Sequence, residues 1–257
     1  MKFDELENRM RRFETSADVR VPPGVYIVAR LDGRSFTRLT RERFAFEAPC
    51  DERFRDAMLE TCEGLMEIGF RTRYAYSQSD EISLLFDPED DTFGRRLRKW
   101  NSILAGEASA RMSLALGDIA VFDCRICQLP RVSDVVDYFR WRSEDAARNA
   151  LNSHCYWRLR SRGRSAAVAT RELLDMSVAA RNELLFSEGL NFNDLPDWQK
   201  RGFGLRWEDF EKEATNPGTG ERVRARRRRI RRDLSLPMKD AYSDYVAGLL
   251  GMTIDES

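Results

Sequence analysis

Hydrophobic positions along the chain fall into short strand-like runs and longer stretches with helical spacing. Residues 25–31 form an apolar run rich in β-branched and aromatic side chains, which predicts a buried strand. In 51–69, Phe54, Met58, Leu59, Cys62, Leu65 and Met66 recur at three- and four-residue intervals, and Gly69 supplies a stop. Residues 70–76 and 82–86 read as two strands joined by a short polar turn carrying Asp80 and Glu81. A second helix is predicted over 95–116 and a further strand over 119–127.

The resulting order, β-α-β-β-α-β, is the split arrangement of a ferredoxin-like unit, the topology of polymerase-type palms. The fold class expected is therefore α+β, with the palm and an N-terminal helix in 1–130. A helical or mixed extension packed on it is expected over 131–257. Within that extension a long amphipathic helix is predicted over 133–157, with Ser133 as N-cap and Asp134 in the first turn. Shorter helices are predicted near 170–176 and 178–187, and a short strand at 202–207.

Two acidic signatures sit where predicted strands give way to turns. Arg30-Leu31-Asp32-Gly33-Arg34-Ser35-Phe36 ends the first strand, and Ser77-Gln78-Ser79-Asp80-Glu81 joins the hairpin. In this topology the first strand lies beside the hairpin, so Asp32 and Asp80 converge on one face. Carboxylates so placed hold hard cations: Mg²⁺ takes oxygen ligands, one or two carboxylates, water and phosphates. Asp32 and Asp80, with the Gly33 carbonyl, form the candidate set for two Mg²⁺ ions, with Glu81 as an additional acidic group. Backbone N–H groups from Gly33 to Thr37, the Ser35 and Thr37 hydroxyls and Arg34 are candidates for a triphosphate. Either motif alone is equally a polar hairpin turn; their joint placement on one unit is what points to nucleotidyl transfer.

Composition narrows the setting. The 257 residues carry 43 Lys plus Arg and 43 Asp plus Glu, so net charge alone argues neither for nor against a nucleic-acid partner. The distribution says more. Residues 221–232 hold eight arginines, expected as a solvated loop or a phosphate-backbone contact, and Arg158, Arg160, Arg162 and Arg164 form a second cluster. No apolar stretch reaches the length of a membrane span, and the acidic, periodic N-terminus lacks the layout of a secretory signal, so a cytoplasmic setting without membrane partners is expected. Five cysteines argue against a disulfide framework. Cys124 and Cys127 lie on a predicted strand, where alternation sends their sulfurs to opposite faces. The lone His154 is expected to be a packing or surface residue.

The two acidic motifs, together with Phe122-Asp123-Cys124-Arg125 and Asp137-Tyr138-Phe139-Arg140-Trp141-Arg142, resemble the tRNA-His guanylyltransferase family from about residue 5 to about residue 205. The resemblance implies a palm that adds nucleotides to the 5′ end of tRNA in the 3′–5′ direction. Its substrates would be tRNA, ATP or GTP for activation, and other nucleoside triphosphates, and its assembly a homotetramer. By resemblance the catalytic groups are Asp32, Asp80 and Glu81, and the metal ligands Asp32, Gly33 and Asp80. The nucleotide site spans Asp32, Gly33, Arg34, Ser35, Phe36 and Thr37 with Ser79 and Asp80, while Arg140, Trp141 and Arg142 are assigned to packing and phosphate contacts.

This chain departs from the family pattern in its middle. Where eukaryotic members carry His-Ile-Asn-Asn-Leu-Tyr-Asn, it has Ala147-Arg148-Asn149-Ala150-Leu151-Asn152-Ser153, as in the guanylyltransferase-like branch whose members resemble templated repair polymerases. A lysine expected before Pro49 is replaced in Glu47-Ala48-Pro49, leaving Arg41 or Arg43 as substitutes for a triphosphate contact. Two other readings stand beside templated tRNA repair or guanylylation. One is a palm-type nucleotide cyclase, and the other a catalytically inactive tRNA-binding protein built on the arginine clusters.

Overall fold

The computed structural model describes residues 2–215, 218 and 222–251. Its centre is an antiparallel sheet of β1 (Tyr26–Gly33), β2 (Thr72–Gln78), β3 (Glu81–Phe86), β4 (Phe122–Leu129), β5 (Phe203–Thr215) and β6 (Arg222–Asp233), in the order β4-β1-β3-β2-β5-β6. The first four strands, with α3 (Glu52–Met66) and α4 (Leu97–Leu116) in the crossovers and a single helical turn, α2 (Phe36–Arg38), after β1, make the ferredoxin-like palm that the sequence pattern predicts. The chain begins with helix α1 (Phe3–Glu14), none of whose residues is buried.

One face of the sheet is covered by α3 (Glu52–Met66) and α4 (Leu97–Leu116). Ile27, Ala29 and Leu31 of β1 pack there with Met58, Leu65, Trp100 and Leu104. The α3 N-terminus is capped by Asp51, whose carboxylate accepts from the Arg53 N–H at 2.8 Å. The opposite face receives α5 (Val132–Ser161) and α9 (Lys239–Leu249), so Val28 and Leu85 meet Val135, Phe139, Tyr242 and Val246. Odd and even positions of β1 thus serve two cores, the period-two signature of a strand buried on both faces.

At 30 residues, α5 is roughly 45 Å long and outruns the sheet. Its distal half carries α6 (Ala166–Leu174) and α7 (Val178–Ser187) on a third cluster around Leu151, Cys155, Leu173 and Leu185. Capping at its start falls two residues before the expected Ser133: Arg131 is the N-cap, and the Asp134 carboxylate accepts from the Arg131 N–H at 3.1 Å. Cys124 packs with the α3/α4 core and Cys127 with the α5/α9 core, both as free thiols on opposite faces.

The arginine-rich stretch is not the loop anticipated. From Arg222 to Asp233 it is strand β6, paired with β5 over its whole length; Glu221 lies outside the described residues. Only Phe203–Arg206 of β5 pairs with β2, so the rest of β5 and β6 continues as a two-stranded ribbon past the palm. The strand forms because the register places acidic residues opposite basic ones: Glu208 faces Arg229 and Glu211 faces Arg226. For the same reason the short strand expected at 202–207 extends to Thr215.

Candidate active site

Antiparallel pairing of β1 with β3 sets Asp32 directly opposite Glu81, and the Gly33 N–H donates to the Asp80 carbonyl at 3.0 Å. The end of β1 and the β2–β3 turn are therefore stitched together, bringing Asp32 and Asp80 to one end of the palm. Both turns use left-handed backbone at a serine, Ser35 (φ 60°) and Ser79 (φ 50°), conformations that cluster at ligand-binding turns. The requirement at Gly33 is steric. A Cβ there would meet the Phe36 ring at 2.5 Å, and that ring is fixed in the core against Phe122 and Phe54.

Burial pushes the Asp80 carboxyl above the ordinary carboxylate range, and the negative charges of Asp32 and Glu81 push in the same direction. A cation between the carboxylates would relieve that repulsion. The donors on offer, two carboxylates and a backbone carbonyl, are hard oxygens suited to Mg²⁺. Among the described residues no group of three or more His, Cys, Asp or Glu side chains is arranged to hold a metal. Glu81 shows why the set stops at two. Its carboxylate is tied up by a two-point contact from Arg142 (Nε and Nη2, both 2.7 Å) and by Arg30 Nη2 at 2.5 Å.

Beside this turn lies an open cavity of about 1010 Å³, at the upper end of the range for small-molecule clefts. Asp32, Ser35, Phe36, Thr37, Ser79, Asp80 and Glu81 all line it, whereas Gly33 and Arg34 do not. Phe36 is almost wholly buried and serves as the anchor of its turn. The far wall comes from α5 and α8 (Asp197–Arg201), through His154, Trp157, Trp198 and Lys200.

The two halves of the chain match two family models in succession, the tRNAHis guanylyltransferase model over residues 7–130 and the Thg1 C terminal domain model over 133–242. A probable tRNA(His) guanylyltransferase of Drosophila melanogaster is 32% identical over 195 residues, covering 72% of this chain and 68% of the relative. The chain belongs to the tRNA(His) guanylyltransferase family. The Neurospora crassa tRNA(His) guanylyltransferase is likewise 32% identical over 210 residues, 77% of this chain and 70% of that protein. Among solved structures, a bacterial tRNA(His) guanylyltransferase-like protein in complex with ATP superposes with a TM-score of 0.74 at 27% identity, covering 96% of this chain and all of that one. The Saccharomyces cerevisiae tRNA(His) guanylyltransferase gives 0.72 at 25% identity, over 80% and 93%.

Within this guanylyltransferase-family site, several side chains are employed differently from the sequence expectation. Arg41 donates to the carbonyls of Phe46, Glu47 and Pro49 at 2.8–3.1 Å and stacks on Trp157, so its guanidinium braces the loop after β1. Arg43 is paired with Asp118. Arg41 is thus committed to those carbonyls, and Arg43 does not line the cavity, so neither serves the triphosphate contact assigned to them. Arg38 is exposed, lines the cavity and has no ion pair among the described residues. Its signal in the sequence is its place on the helical turn Phe36–Arg38 that follows Asp32-Gly33. Arg142 is buried and bound to Glu81, which rules out the phosphate contact. Arg140 instead pairs with Glu144 and Asp240 on the surface. In the second arginine cluster, Arg158 and Arg162 converge on Glu188 and Arg164 pairs with Glu172. The lone histidine is a packed residue: burial holds His154 down to about 4, so it is neutral, with its ring edge-on to Phe192.

Proposed function

We propose that this chain repairs the 5′ end of tRNA, adding nucleotides in the 3′–5′ direction under the direction of the opposing base. The observation that carries the reading is the convergence of Asp32 and Asp80 on a cavity large enough for a nucleoside triphosphate. Family membership makes nucleotidyl transfer to tRNA the reaction. The altered block at 147–153 supports templated addition over addition of a single guanosine.

Asp32 and Asp80, with the Gly33 carbonyl, would hold two Mg²⁺ ions; when bound these supply Lewis acidity toward the phosphoryl oxygens and the attacking hydroxyl. The remaining work falls to the protein's own groups. The Ser35 and Thr37 hydroxyls and the amides of their turn orient the triphosphate, and Arg38, exposed on the cavity lining, supplies a cation to it. Arg41 and Trp157 hold the cavity wall. Glu81 lines the cavity as well, but its carboxylate is held by its arginine partners and contributes through them, not as a direct ligand. ATP or GTP activates the tRNA 5′-monophosphate, and the reading includes a homotetramer in the cytoplasm.

The test uses a tRNA lacking its 5′ nucleotide, labelled nucleoside triphosphates and Mg²⁺, with each base in turn opposite the gap. Incorporation that follows the opposing base is the expected result. Guanosine added regardless of that base would make the chain a tRNA(His) guanylyltransferase in the strict sense. GTP consumed to a cyclic product without RNA would identify a cyclase, and tRNA binding without any turnover an inactive binding protein.

A further inference from the structure

Asp32 and Glu81 are direct partners across β1 and β3, so their side chains leave the same face of the sheet about 5 Å apart. Asp80 is the next residue along. Nothing in the backbone keeps the Glu81 carboxylate from joining Asp32 and Asp80 around a cation. What keeps it away is Arg142, which enters from α5 on that same face. Only 3% exposed, it grips both Glu81 oxygens, while its Nη2 also approaches Asp145 at 3.3 Å. Its own carbonyl lies 3.5 Å from the Tyr76 hydroxyl, and its guanidinium stacks on Trp141 at 4.6 Å. Backbone and side chain of Arg142 are thus both held in place. Arg30 completes the arrangement, with Nη2 at 2.5 Å from Glu81 and 3.8 Å from Asp32.

We propose that Arg142 is a positioning residue that withholds Glu81 from the cation site, so that the site presents two carboxylates instead of three. The inference rests on the metal-dependent reading above. The chemistry behind it is ligand number. A third carboxylate would bind a divalent cation more tightly but would replace water and phosphate oxygens in its shell, and an ion held that way assists phosphoryl transfer less well. The two-point grip matters because a guanidinium meets the two carboxylate oxygens with two parallel N–H bonds from a rigid fork, a geometry that an ammonium does not reproduce.

The experiment titrates Mn²⁺ into the full chain in the presence of GTP, following free Mn²⁺ by electron paramagnetic resonance, alongside kcat and KM for 5′ addition. Arg142→Gln is expected to bind Mn²⁺ at least threefold tighter while kcat falls at least tenfold. Arg142→Lys, which keeps the charge but loses the fork, should move both quantities in the same directions by less. Adding Glu81→Gln to Arg142→Gln removes the carboxylate to be recruited and should return Mn²⁺ affinity to within twofold of the parent. Mn²⁺ binding that is unchanged or weaker in Arg142→Gln overturns the proposal, because a merely structural contact loosens the turn and weakens the site. If Arg142→Gln does not fold, the sign of the shift in Arg142→Lys decides. A parent chain inactive on every tRNA would sink the functional reading and leave the Mn²⁺ titration to judge Arg142 on its own.

Discussion

The palm end and the β5–β6 ribbon are both crowded with charge, yet they handle it in opposite ways. At the palm end the buried charge is concentrated on one group with several partners: Glu81 is 5% exposed and shared by Arg142 and Arg30. Along the ribbon the arginines are exposed and meet acids one or two at a time, Arg226 on Asp209 at 2.6 Å and both Arg229 and Arg231 on Glu208. Desolvated pairs cost much when one partner is lost, whereas exposed pairs are screened and nearly interchangeable. Charge density alone therefore says little about importance; burial and the number of partners say more. The Asp80 carboxyl, raised by burial and by its acidic neighbours, shows that the palm end accepts unfavourable electrostatics that the ribbon avoids.

The largest effect should come from the carboxylates. Asp32→Ala or Asp80→Asn is expected to lower kcat for 5′ addition by about a thousandfold or more, roughly 4 kcal/mol of lost transition-state stabilisation. Stability should move the other way at Asp80. A carboxyl whose folded pKa is raised is ionised at a cost in the native state, so Asp80→Asn should leave the melting temperature level or higher. A variant that kept its activity would break the assignment of these residues, and one that unfolded would make Asp80 structural.

Next in size is the titration of His154, which burial holds at about 4, against 6.5 for an ordinary imidazole. Because the folded value is the lower one, the unfolded chain takes up the proton first as pH falls. The stability that neutral His154 contributes is complete above about pH 6.5 and is lost as pH drops toward 4. Between pH 7 and 5 the loss from this residue should be about 2 kcal/mol. Urea unfolding of the parent and of His154→Gln at both pH values isolates it, since other titrating groups are common to the two. Equal losses would mean that the imidazole is solvated.

Gly33→Ala comes third. Its Cβ would press on a Phe36 ring locked against Phe122 and Phe54, at an overpacking cost of about 1–3 kcal/mol. Activity should fall with stability, because the displaced residue carries the Asp32 turn. Combining Gly33→Ala with Phe36→Leu should recover part of both, and failure to recover either would point to the backbone instead of the ring.

How much of this was legible beforehand follows the range of the interactions. The β1 run, the acidic turns and the palm order are local patterns, readable because a strand's period and its turn residues lie within a few positions of each other. The opposite faces of Cys124 and Cys127 follow from the same period. The partners of Glu81 do not: Arg142 is 61 residues away, and an arginine in a helix looks the same whether it meets solvent or a buried acid. The role of Arg41 is out of the sequence's reach for a similar reason, since its three carbonyl partners exist only once the loop to Pro49 has folded back on it. Strand β6 was hidden by composition. Eight arginines look like a solvated loop until the acids of β5, several residues upstream, are laid opposite them.

The smallest effect tests the other half of the comparison. Arg226 is exposed and its ion pair with Asp209 is open to water, so Arg226→Ala should change the unfolding free energy by under about 0.5 kcal/mol. Arg228 lies over the Trp207 ring at 4.3 Å, and Arg228→Ala should cost slightly more, about 0.5–1 kcal/mol, because a cation–π contact survives exposure better than an ion pair. Thermal unfolding at low salt and at high salt separates the two: the small loss at Arg226 should shrink with salt, and that at Arg228 should persist. A loss of 2 kcal/mol or more at Arg226 would mean that the ribbon depends on its ion pairs as the palm end does. In that case the contrast between buried and exposed charge would no longer explain why the chain carries arginine in both places.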